Sequence, residues 1–313
     1  MRLVFMGTPD FAVGCLEALI KAGHDVVAVY SQPDKPVGRK REILPTPVKQ
    51  CALAHGIEVR QPTTLRNAEE TEALRALAPD AVVVVAYGKL IPADMLEVAP
   101  LGFINVHASL LPKYRGAAPI QWAVVNGEKE TGVTTMLLNE ANEGVDTGDM
   151  LERAVTPIGE NETAGELFER LSVLGAELIV STLEKLAKGE LTPEKQDEAQ
   201  ATLAPIISKE MALLDFAQSA ESLSNLVRGF NPWPIAYTIL EGKRLKVYSA
   251  RVAGKTNAPA GTVTKSERTL CVACGDGMEL ELLDIQLEGS KRMPASEWLK
   301  GRAVEKGTVL GAL

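Results

Sequence analysis

Three side chains of the types that handle protons and oxyanions occur in two short segments of the sequence. Asn105 and His107 lie two residues apart within residues 103–108, which have the composition of a strand. Side chains at positions i and i+2 project from the same face of a strand, so this amide and this imidazole point the same way. Asp146 follows between two glycines, where the backbone can approach a ligand. An amide donor, a titratable ring and a carboxylate can together stabilise an oxyanion and move a proton.

Each of these residues also has an ordinary structural interpretation. A histidine at a strand end can be a satisfied core residue, and an aspartate between glycines is a common turn residue. His107 is favoured as functional because it ends a strand of a predicted parallel sheet, where α/β proteins bind ligands. Asn105 shares its face, and a tight turn follows at residues 109–112. His24 and His55 lie beside glycines at helix ends, where a cation is favourable near the helix dipole. We interpret both as structural.

The sequence lacks the motifs of nucleotide and metal chemistry. The first strand–helix turn, at residues 7–10, does not follow the G-x-G-x-x-G pattern, and no P-loop occurs. Cys271 and Cys274 have C-x-x-C spacing, but no second Cys or His pair accompanies them, so we predict no metal site. The four scattered cysteines favour a reduced cytoplasm over a disulfide scaffold.

The elements that position these residues alternate between apolar strands and helices in the first half of the chain. Such alternation predicts an α/β domain with a Rossmann-like, mostly parallel sheet covered on both faces. Strands are predicted at residues 2–7, 25–31, 57–60, 81–86, 103–108, 132–139 and 150–156. Helices are predicted at residues 9–22, 48–55, 66–77, 117–126 and 163–188.

The pattern changes after the last of these helices. Residues 190–204 are polar with little periodicity, which is typical of a linker. Five short strand-like runs follow, and strands at this spacing indicate a small barrel of the OB type. These runs lie at residues 236–240, 245–250, 261–264, 270–273 and 279–285. We therefore predict a catalytic domain at 1–189, a linker at 190–207 and a C-terminal β-barrel domain at 208–313.

Charge and hydropathy limit the partners. The net charge of −8 argues against indiscriminate nucleic-acid binding, although residues from Ser208 onward carry +2 and the preceding residues −10. Residues 33–47 are basic and aperiodic, which predicts a long loop, and long loops in compact domains are usually functional or disordered. No apolar run is long enough to span a bilayer, and no signal-peptide pattern occurs. We expect a cytoplasmic protein that does not bind membranes.

Several segments together resemble a known family. The runs I-N-V-H-A-S-L-L-P at 104–112, R-G-A-A-P-I-Q at 115–121 and G-V-D-T-G-D-M at 144–150 resemble the 10-formyltetrahydrofolate-dependent formyltransferases. Four more runs resemble the methionyl-tRNA formyltransferases within that family: G-T-P-D-F-A at 7–12, Q-P-D-K-P-V-G-R at 32–39, V-V-A-Y-G at 84–88 and F-N-P-W-P at 230–234. The resemblance extends from residue 1 to near the end, is strongest before residue 160 and is thin after residue 240.

The resemblance implies transfer of a formyl group from 10-formyltetrahydrofolate to the α-amino group of initiator methionyl-tRNA, a step of bacterial-type translation initiation. The family's catalytic positions are matched by Asn105, His107 and Asp146. Its folate-binding turn is matched by Ser109, Leu110, Leu111 and Pro112, and its pterin pocket by Tyr87, Gly88 and Leu90. The basic residues of the segment that enters the tRNA acceptor stem are Lys35, Arg39, Lys40, Arg41 and Lys49.

The chain departs from the family pattern at two places near the predicted linker. Ile206 lies where the family often has a lysine, and the apolar run at residues 211–216 replaces a more polar stretch. Both departures concern tRNA contacts and leave the formyl-transfer residues unchanged.

Three other functions fit parts of the same pattern. A formyltransferase acting on a small amine, such as an amino-sugar nucleotide or glycinamide ribonucleotide, would use the same catalytic residues but would need neither the basic loop nor a second domain. A non-catalytic RNA-binding protein would have no reason to retain all three polar residues. A folate-site hydrolase would release formate without an acceptor. No strong exposed apolar stripe predicts an obligate dimer, so we expect a monomer.

Overall fold

A computed structural model of the chain describes residues 1–37, 42–139 and 144–311. The chain forms two compact units. The first comprises residues 1–116, 131–157 and 168–204, and the second comprises residues 117–130, 158–167 and 205–313. The domain boundaries predicted from the sequence stay predictions.

The described elements alternate through the first half of the chain. The strands are β1 (Arg2–Gly7), β2 (Asp25–Tyr30), β3 (Lys35–Val37), β4 (Glu42–Leu44), β5 (Glu58–Arg60), β6 (Ala81–Val85), β7 (Phe103–His107), β8 (Arg115–Gly116), β9 (Glu130–Leu137), β10 (Met150–Pro157), β11 (Leu203–Ala204), β12 (Ala236–Leu240), β13 (Lys243–Lys255), β14 (Val263–Lys265), β15 (Leu270–Ala273), β16 (Met278–Leu287) and β17 (Met293–Pro294). The helices are α1 (Asp10–Lys21), α2 (Pro47–Ala54), α3 (Ala68–Arg75), α4 (Ala93–Leu96), α5 (Pro119–Val125), α6 (Ala164–Ala187), α7 (Ala220–Gly229) and α8 (Ala295–Lys300).

A seven-stranded sheet in the order β10-β9-β7-β6-β1-β2-β5 forms the centre of the first unit. The neighbouring strands β7, β6, β1, β2 and β5 all pair in parallel, whereas β9 runs antiparallel to β7. All five residues of β6 are buried, as a parallel strand covered on both faces requires. The predicted mostly parallel α/β sheet is confirmed. His107 is the last residue of β7 and therefore lies at the edge of the sheet where parallel strands end.

The basic segment at residues 33–47 contains two short paired strands, so the prediction of a long loop throughout this segment is wrong. Its strands β3 and β4 pair antiparallel, with Lys35 opposite Leu44 and Pro36 opposite Ile43. Each strand has three residues, which is too short to show a two-residue alternation. The side chains of β4 are also exposed, so no buried face marks this strand in the sequence.

Residues 190–204 belong to the first unit and are attached to the rest of it by backbone hydrogen bonds. Strand β11 pairs in parallel with β8, and Glu194 exchanges backbone hydrogen bonds with Met150 at 2.8 Å. A single 3-10 turn at Glu198–Gln200 lies between these contacts. This part of the predicted linker is therefore fixed at several points along its length.

The second unit contains an antiparallel sheet in the order β12-β13-β16-β15-β14, with β17 paired to β16. All five predicted strands are present, and β13 and β16 are longer than predicted. Register shifts between β13 and β16 bend these strands, so the sheet curls into a half-barrel. Its buried face packs Leu245, Leu280 and Leu282 with Leu223 of α7 and Trp298 of α8.

The longest described helix is α6, with 24 residues. Neither it nor any other helix in the described part of the chain is both long and apolar enough to cross a membrane.

A substitution at Gly132 can test how closely β9 packs against β10 at the edge of the sheet. A Cβ atom at this position would lie 2.0 Å from the carbonyl oxygen of Ala154 in β10. We expect Gly132→Ala to lower the free energy of unfolding by about 2–3 kcal/mol, because two backbone segments must separate to admit the methyl group. Urea denaturation followed by circular dichroism measures this change.

Gly14 in α1 supplies the matched control in the same unit. A Cβ there would come no closer than 3.3 Å to a neighbouring atom, the side-chain oxygen of Ser172. Because alanine favours a helix over glycine by about 1 kcal/mol, Gly14→Ala should leave the urea midpoint unchanged or raise it. Equal losses in the two variants would contradict our account of the β9–β10 contact.

Candidate functional site

His107 is held at the end of β7 by a backbone acceptor. Its Nε2 lies 2.9 Å from the carbonyl oxygen of Tyr114, and the side chain is only 6 % exposed. A carbonyl oxygen can only accept a hydrogen bond, so Nε2 carries a proton and donates it. The ring is thereby fixed with Nδ1 on its other side.

Asp146 faces that other side of the ring. Its Oδ2 lies 3.5 Å from Nδ1 of His107 and accepts a hydrogen bond of 2.9 Å from the backbone N–H of Gly116. The residue has a φ of 56°, in the left-handed region that non-glycine residues rarely occupy. The fold therefore brings together an imidazole and a carboxylate that are 39 positions apart in the sequence.

Gly116 has to be a glycine for this arrangement to form. Its φ is 119°, and a Cβ atom would lie 2.8 Å from the carbonyl oxygen of Ala204. The close approach of β11 to β8 thus depends on the missing side chain, and the N–H of the same residue is left to hold the carboxylate of Asp146.

Asn105 shares the strand and the face of His107. Its backbone pairs between Val84 of β6 and Met136 of β9, and its side chain is half-buried. Within the ranges that the structure describes, no side-chain hydrogen bond of Asn105 occurs. A half-buried amide with no protein partner fits a site that binds an external carbonyl or oxyanion.

The chemistry of the group follows from what each atom faces. Both ring nitrogens of His107 face oxygen acceptors, so its doubly protonated form finds a partner for each N–H. The surroundings are largely dry, since the side chain of Asp146 is 13 % exposed, and low polarity strengthens such contacts. The arrangement offers an amide donor, an imidazole and a carboxylate at one sheet edge.

Hydrogen bonds hold the predicted folate-binding turn against β9. The hydroxyl of Thr134 donates to the carbonyl oxygen of Ser109 at 2.7 Å and accepts from the N–H of Leu111 at 3.1 Å. Ser109 in turn donates its hydroxyl to the carbonyl oxygen of Lys113 at 2.6 Å. Ser109, Leu111 and Pro112 are buried and Leu110 is partly exposed. The turn directly after His107 is therefore held in place by hydrogen bonds and by packing.

The predicted pterin-pocket residues differ in where their side chains lie. Tyr87 is buried in the apolar cluster that includes Tyr30, its hydroxyl has no hydrogen-bond partner in the described ranges, and burial raises its pKa. Gly88 has a φ of 80° and turns the chain. Leu90 is 60 % exposed, so it is the one of the three whose side chain is open to a ligand.

The predicted tRNA-binding residues are described only in part. Arg39, Lys40 and Arg41 lie outside the described residues. Lys35 is exposed at the start of β3. Lys49 donates to Asp34 at 2.6 Å and to Gln61 at 2.7 Å, so its ammonium group already has two protein partners.

One group of possible metal ligands occurs in the described part of the chain, on α1, on α2 and at the residue that follows α2. The ligand atoms of Glu17, Cys51 and His55 lie within 4.8 Å of one another. Burial raises the pKa of the Cys51 thiol, which disfavours the thiolate that a metal ion requires. None of the candidate catalytic residues lies on these two helices.

Sequence reasoning did not single out Tyr114, Gly116 or Gln196. The first two act through a backbone carbonyl and a backbone N–H, groups that every such residue carries, so their side chains give no signal. Gln196 lies in the polar segment interpreted as a linker, and its amide donates to the carbonyl oxygen of Asp146 at 2.8 Å.

The ion pair between Asp34 and Lys49 gives a pH-dependent prediction. Hydrogen bonds from Lys49 and Gln61 hold the pKa of Asp34 below its ordinary value of 3.8. Stability from a depressed carboxyl pKa is present above the unfolded-state pKa and is lost as the pH falls through the folded-state value. Lys49→Met should raise the Asp34 pKa, measured by NMR titration, and destabilise the protein at neutral pH only. We expect about 0.5 kcal/mol, because both side chains are about one-fifth exposed and solvent screens the pair. An unchanged Asp34 pKa would contradict this account.

Two family patterns match the chain. The family described as formyl transferase matches residues 1–183. The family described as formyl transferase, C-terminal domain, matches residues 206–303. The first match covers more than half of the chain and includes all three candidate catalytic residues.

The chain is similar to relatives along its whole length. A protein from Acidobacterium capsulatum named methionyl-tRNA formyltransferase is 52% identical over 314 residues, which cover 100% of this chain and 100% of that protein. A protein of the same name from Citrifermentans bemidjiense is 49% identical over 99% of this chain and 96% of its own length. Among solved structures, the N-formyltransferase from Helicobacter canadensis in complex with folinic acid and dTDP-3-aminofucose has a TM-score of 0.68 at 20% identity, over 90% of this chain and 98% of that chain. This last similarity is one of fold.

Proposed function

This chain belongs to the formyl transferase family, and on that premise we propose that it transfers the formyl group of 10-formyltetrahydrofolate to the α-amino group of initiator methionyl-tRNA. The observation that carries the proposal is the facing pair His107–Asp146 on the same sheet edge as Asn105, whose amide has no hydrogen bond in the described residues, in a chain about half identical over its full length to proteins of that name. The product is the formylated initiator tRNA of bacterial-type translation initiation.

The reaction begins when the neutral α-amino group attacks the formyl carbon. Free α-amino groups titrate near pH 7.7–8.0, so a neutral fraction is available at physiological pH. A bond forms between the amino nitrogen and the formyl carbon, and the carbonyl oxygen becomes an oxyanion. The bond from that carbon to N10 of the folate then breaks, and N10 leaves with a proton.

Asn105 is proposed as the donor to the developing oxyanion. Its half-buried amide has no hydrogen bond within the described residues, so it can meet the formyl oxygen without breaking a protein contact. The positive charge of a protonated His107 on the same strand face would add electrostatic stabilisation. Losing one such donor typically lowers the rate by about 10²–10³.

Asp146 is proposed to orient His107 and to take the proton from the attacking amine, directly or through water. Since Nε2 of His107 is committed to Tyr114, Nδ1 is the ring nitrogen that can exchange a proton with Asp146. Proton transfer by a positioned group is worth about 10²–10⁴ in rate. The proton removed from the amine replaces the one that N10 takes when it leaves.

The folate is proposed to bind against the pinned turn after His107. This turn consists of Ser109, Leu110, Leu111 and Pro112. The pterin pocket is proposed to be lined by the bend that contains Tyr87, Gly88 and the exposed Leu90. The rigidity of the turn after His107 supports the assignment, because a fixed turn positions the formyl carbon without ordering the chain at each turnover. The chemistry requires no metal ion.

The tRNA is proposed to contact Lys35, Arg39, Lys40 and Arg41, and Lys49 holds the base of this segment through its ion pair with Asp34.

We also propose that the curled sheet of the second unit is an OB-type barrel that binds tRNA. The chain then divides into a catalytic domain at 1–189, a linker at 190–207 and a barrel domain at 208–313. The substrate supports a cytoplasmic location, where tRNA is aminoacylated. Ile206 and residues 211–216 offer no positive charge to the tRNA. We propose a monomer, which light scattering can test.

His107→Ala is the direct test of the catalytic proposal. We expect kcat for formylation of methionyl-tRNA to fall by about 10²–10³ or more, because the oxyanion and the proton acceptor both lose their partner. Transfer of labelled formyl from the folate to charged tRNA measures this rate. The variant should melt within a few degrees of the parent protein.

Two acceptors separate the proposed function from its small-amine alternative. The parent protein should formylate methionyl-tRNA and leave a free amino-sugar nucleotide unmodified under the same conditions. Preferential formylation of the amino sugar would overturn the substrate assignment. Near-parental turnover by His107→Ala would overturn the role of the imidazole.

Arg39→Ala tests the basic segment. We expect a lower kcat/KM for methionyl-tRNA with an unchanged KM for the folate, because arginine pairs with phosphate and base edges and does not contact the formyl carbon. The loss should shrink as salt is raised, since phosphate contacts are screened. An unchanged kcat/KM for the tRNA at low salt would count against a contact.

A further inference from the structure

We propose that Gln196 is a positioning residue for Asp146 and that Arg115 sets the orientation of its side-chain amide. The inference rests on the proposed function and adds a residue that acts only through Asp146. Gln196 lies in the polar segment that the sequence indicated as a linker, far along the chain from the residues it serves.

The amide of Gln196 bridges two carbonyl groups of the Asp146 loop. Its Nε2 donates to the carbonyl oxygen of Asp146 at 2.8 Å and to that of Gly148 at 2.7 Å. An amide nitrogen has two N–H groups, and both are used here. One side chain therefore fixes the loop on both sides of Thr147.

Arg115 determines which way this amide points. Its Nε and Nη2 donate to Oε1 of Gln196 at 2.9 and 2.8 Å. A guanidinium has no acceptor, so the amide oxygen must face Arg115, and the NH₂ group must face the loop. Arg115 is itself fixed, because its side chain is 6 % exposed and Glu198 accepts from Nη1 and Nη2 at 2.9 and 2.8 Å.

The same two-residue strand thus holds Asp146 at both ends. Arg115 of β8 orients the amide that binds the main-chain carbonyl of Asp146, and Gly116 binds the side-chain carboxylate with its N–H. Asp146 occupies a left-handed conformation with a φ of 56°, which persists where surrounding contacts impose it. Without the bridge, the carboxylate would lose its fixed position opposite His107.

The variant Gln196→Glu distinguishes this role from simple attachment of the segment. A glutamate keeps an acceptor for Arg115 and strengthens that contact with charge. It has no N–H for the loop and places a carboxylate against two carbonyl oxygens. If Gln196 only anchored its own segment, Gln196→Glu would be active. If it positions Asp146, Gln196→Glu and Gln196→Ala should be impaired alike.

The test is steady-state formyl transfer to methionyl-tRNA by the full chain. We expect both variants to lower kcat by about 10- to 100-fold with KM for the tRNA and the folate within about twofold, because a misplaced catalytic group affects the transition state more than substrate binding. Lys195→Ala is the matched control, since this neighbouring side chain is exposed. It should keep the parental kcat.

A double-mutant cycle keeps the proposal testable if a variant is destabilised. In an Asp146→Asn background, Gln196→Glu should add little further loss, because its effect passes through the carboxylate. An undiminished loss in that background, or a parental kcat for Gln196→Glu, would overturn the inference. Absence of formyl transfer by the parent protein would instead overturn the proposed function, so the two failures are distinguishable.

Discussion

The site depends on one hydrogen bond, from the backbone N–H of Gly116 to Oδ2 of Asp146 at 2.9 Å. That oxygen is also the one that faces the imidazole of His107, so this N–H holds the carboxylate directly opposite the ring. The bond requires β8 to approach β11 so closely that no side chain fits at Gly116. A short pair of two-residue strands therefore positions the carboxylate that we propose to be catalytic.

The large parallel sheet supplies the fixed frame for this contact. β7 lies between β6 and β9, so the backbone of Asn105 is hydrogen-bonded on both edges while its side chain remains available. His107 is the last residue of the strand and lies at the edge where the parallel strands end. Placing both residues on a central strand holds them more rigidly than a loop would. The loop is needed only for Asp146, which must come from another part of the chain.

The second unit is built on a different principle. In its antiparallel sheet, β12 alternates buried and partly buried residues, and shifts of register bend β13 against β16. Buried Glu279 and Glu281 on β16 are paired with Lys265 and Arg251, which neutralises two carboxylates that a buried strand would otherwise leave uncompensated. Arg244 and Lys246 of β13 line a pocket of this unit together with Gln286 of β16.

Residue types and periodicity alone determined the alternation of strands and helices, the five strands of the second unit, and the shared face of Asn105 and His107. These features follow from burial and from the two-residue repeat of a strand, which leave a pattern in the side chains. The tertiary structure alone decided that β3 and β4 pair, since three-residue strands are too short to show a repeat. It also decided that Tyr114, Gly116 and Gln196 contact the candidate pair His107–Asp146. Those contacts use carbonyl and N–H groups of the main chain, which nearly every residue carries, so only the folded path of the backbone can select among them.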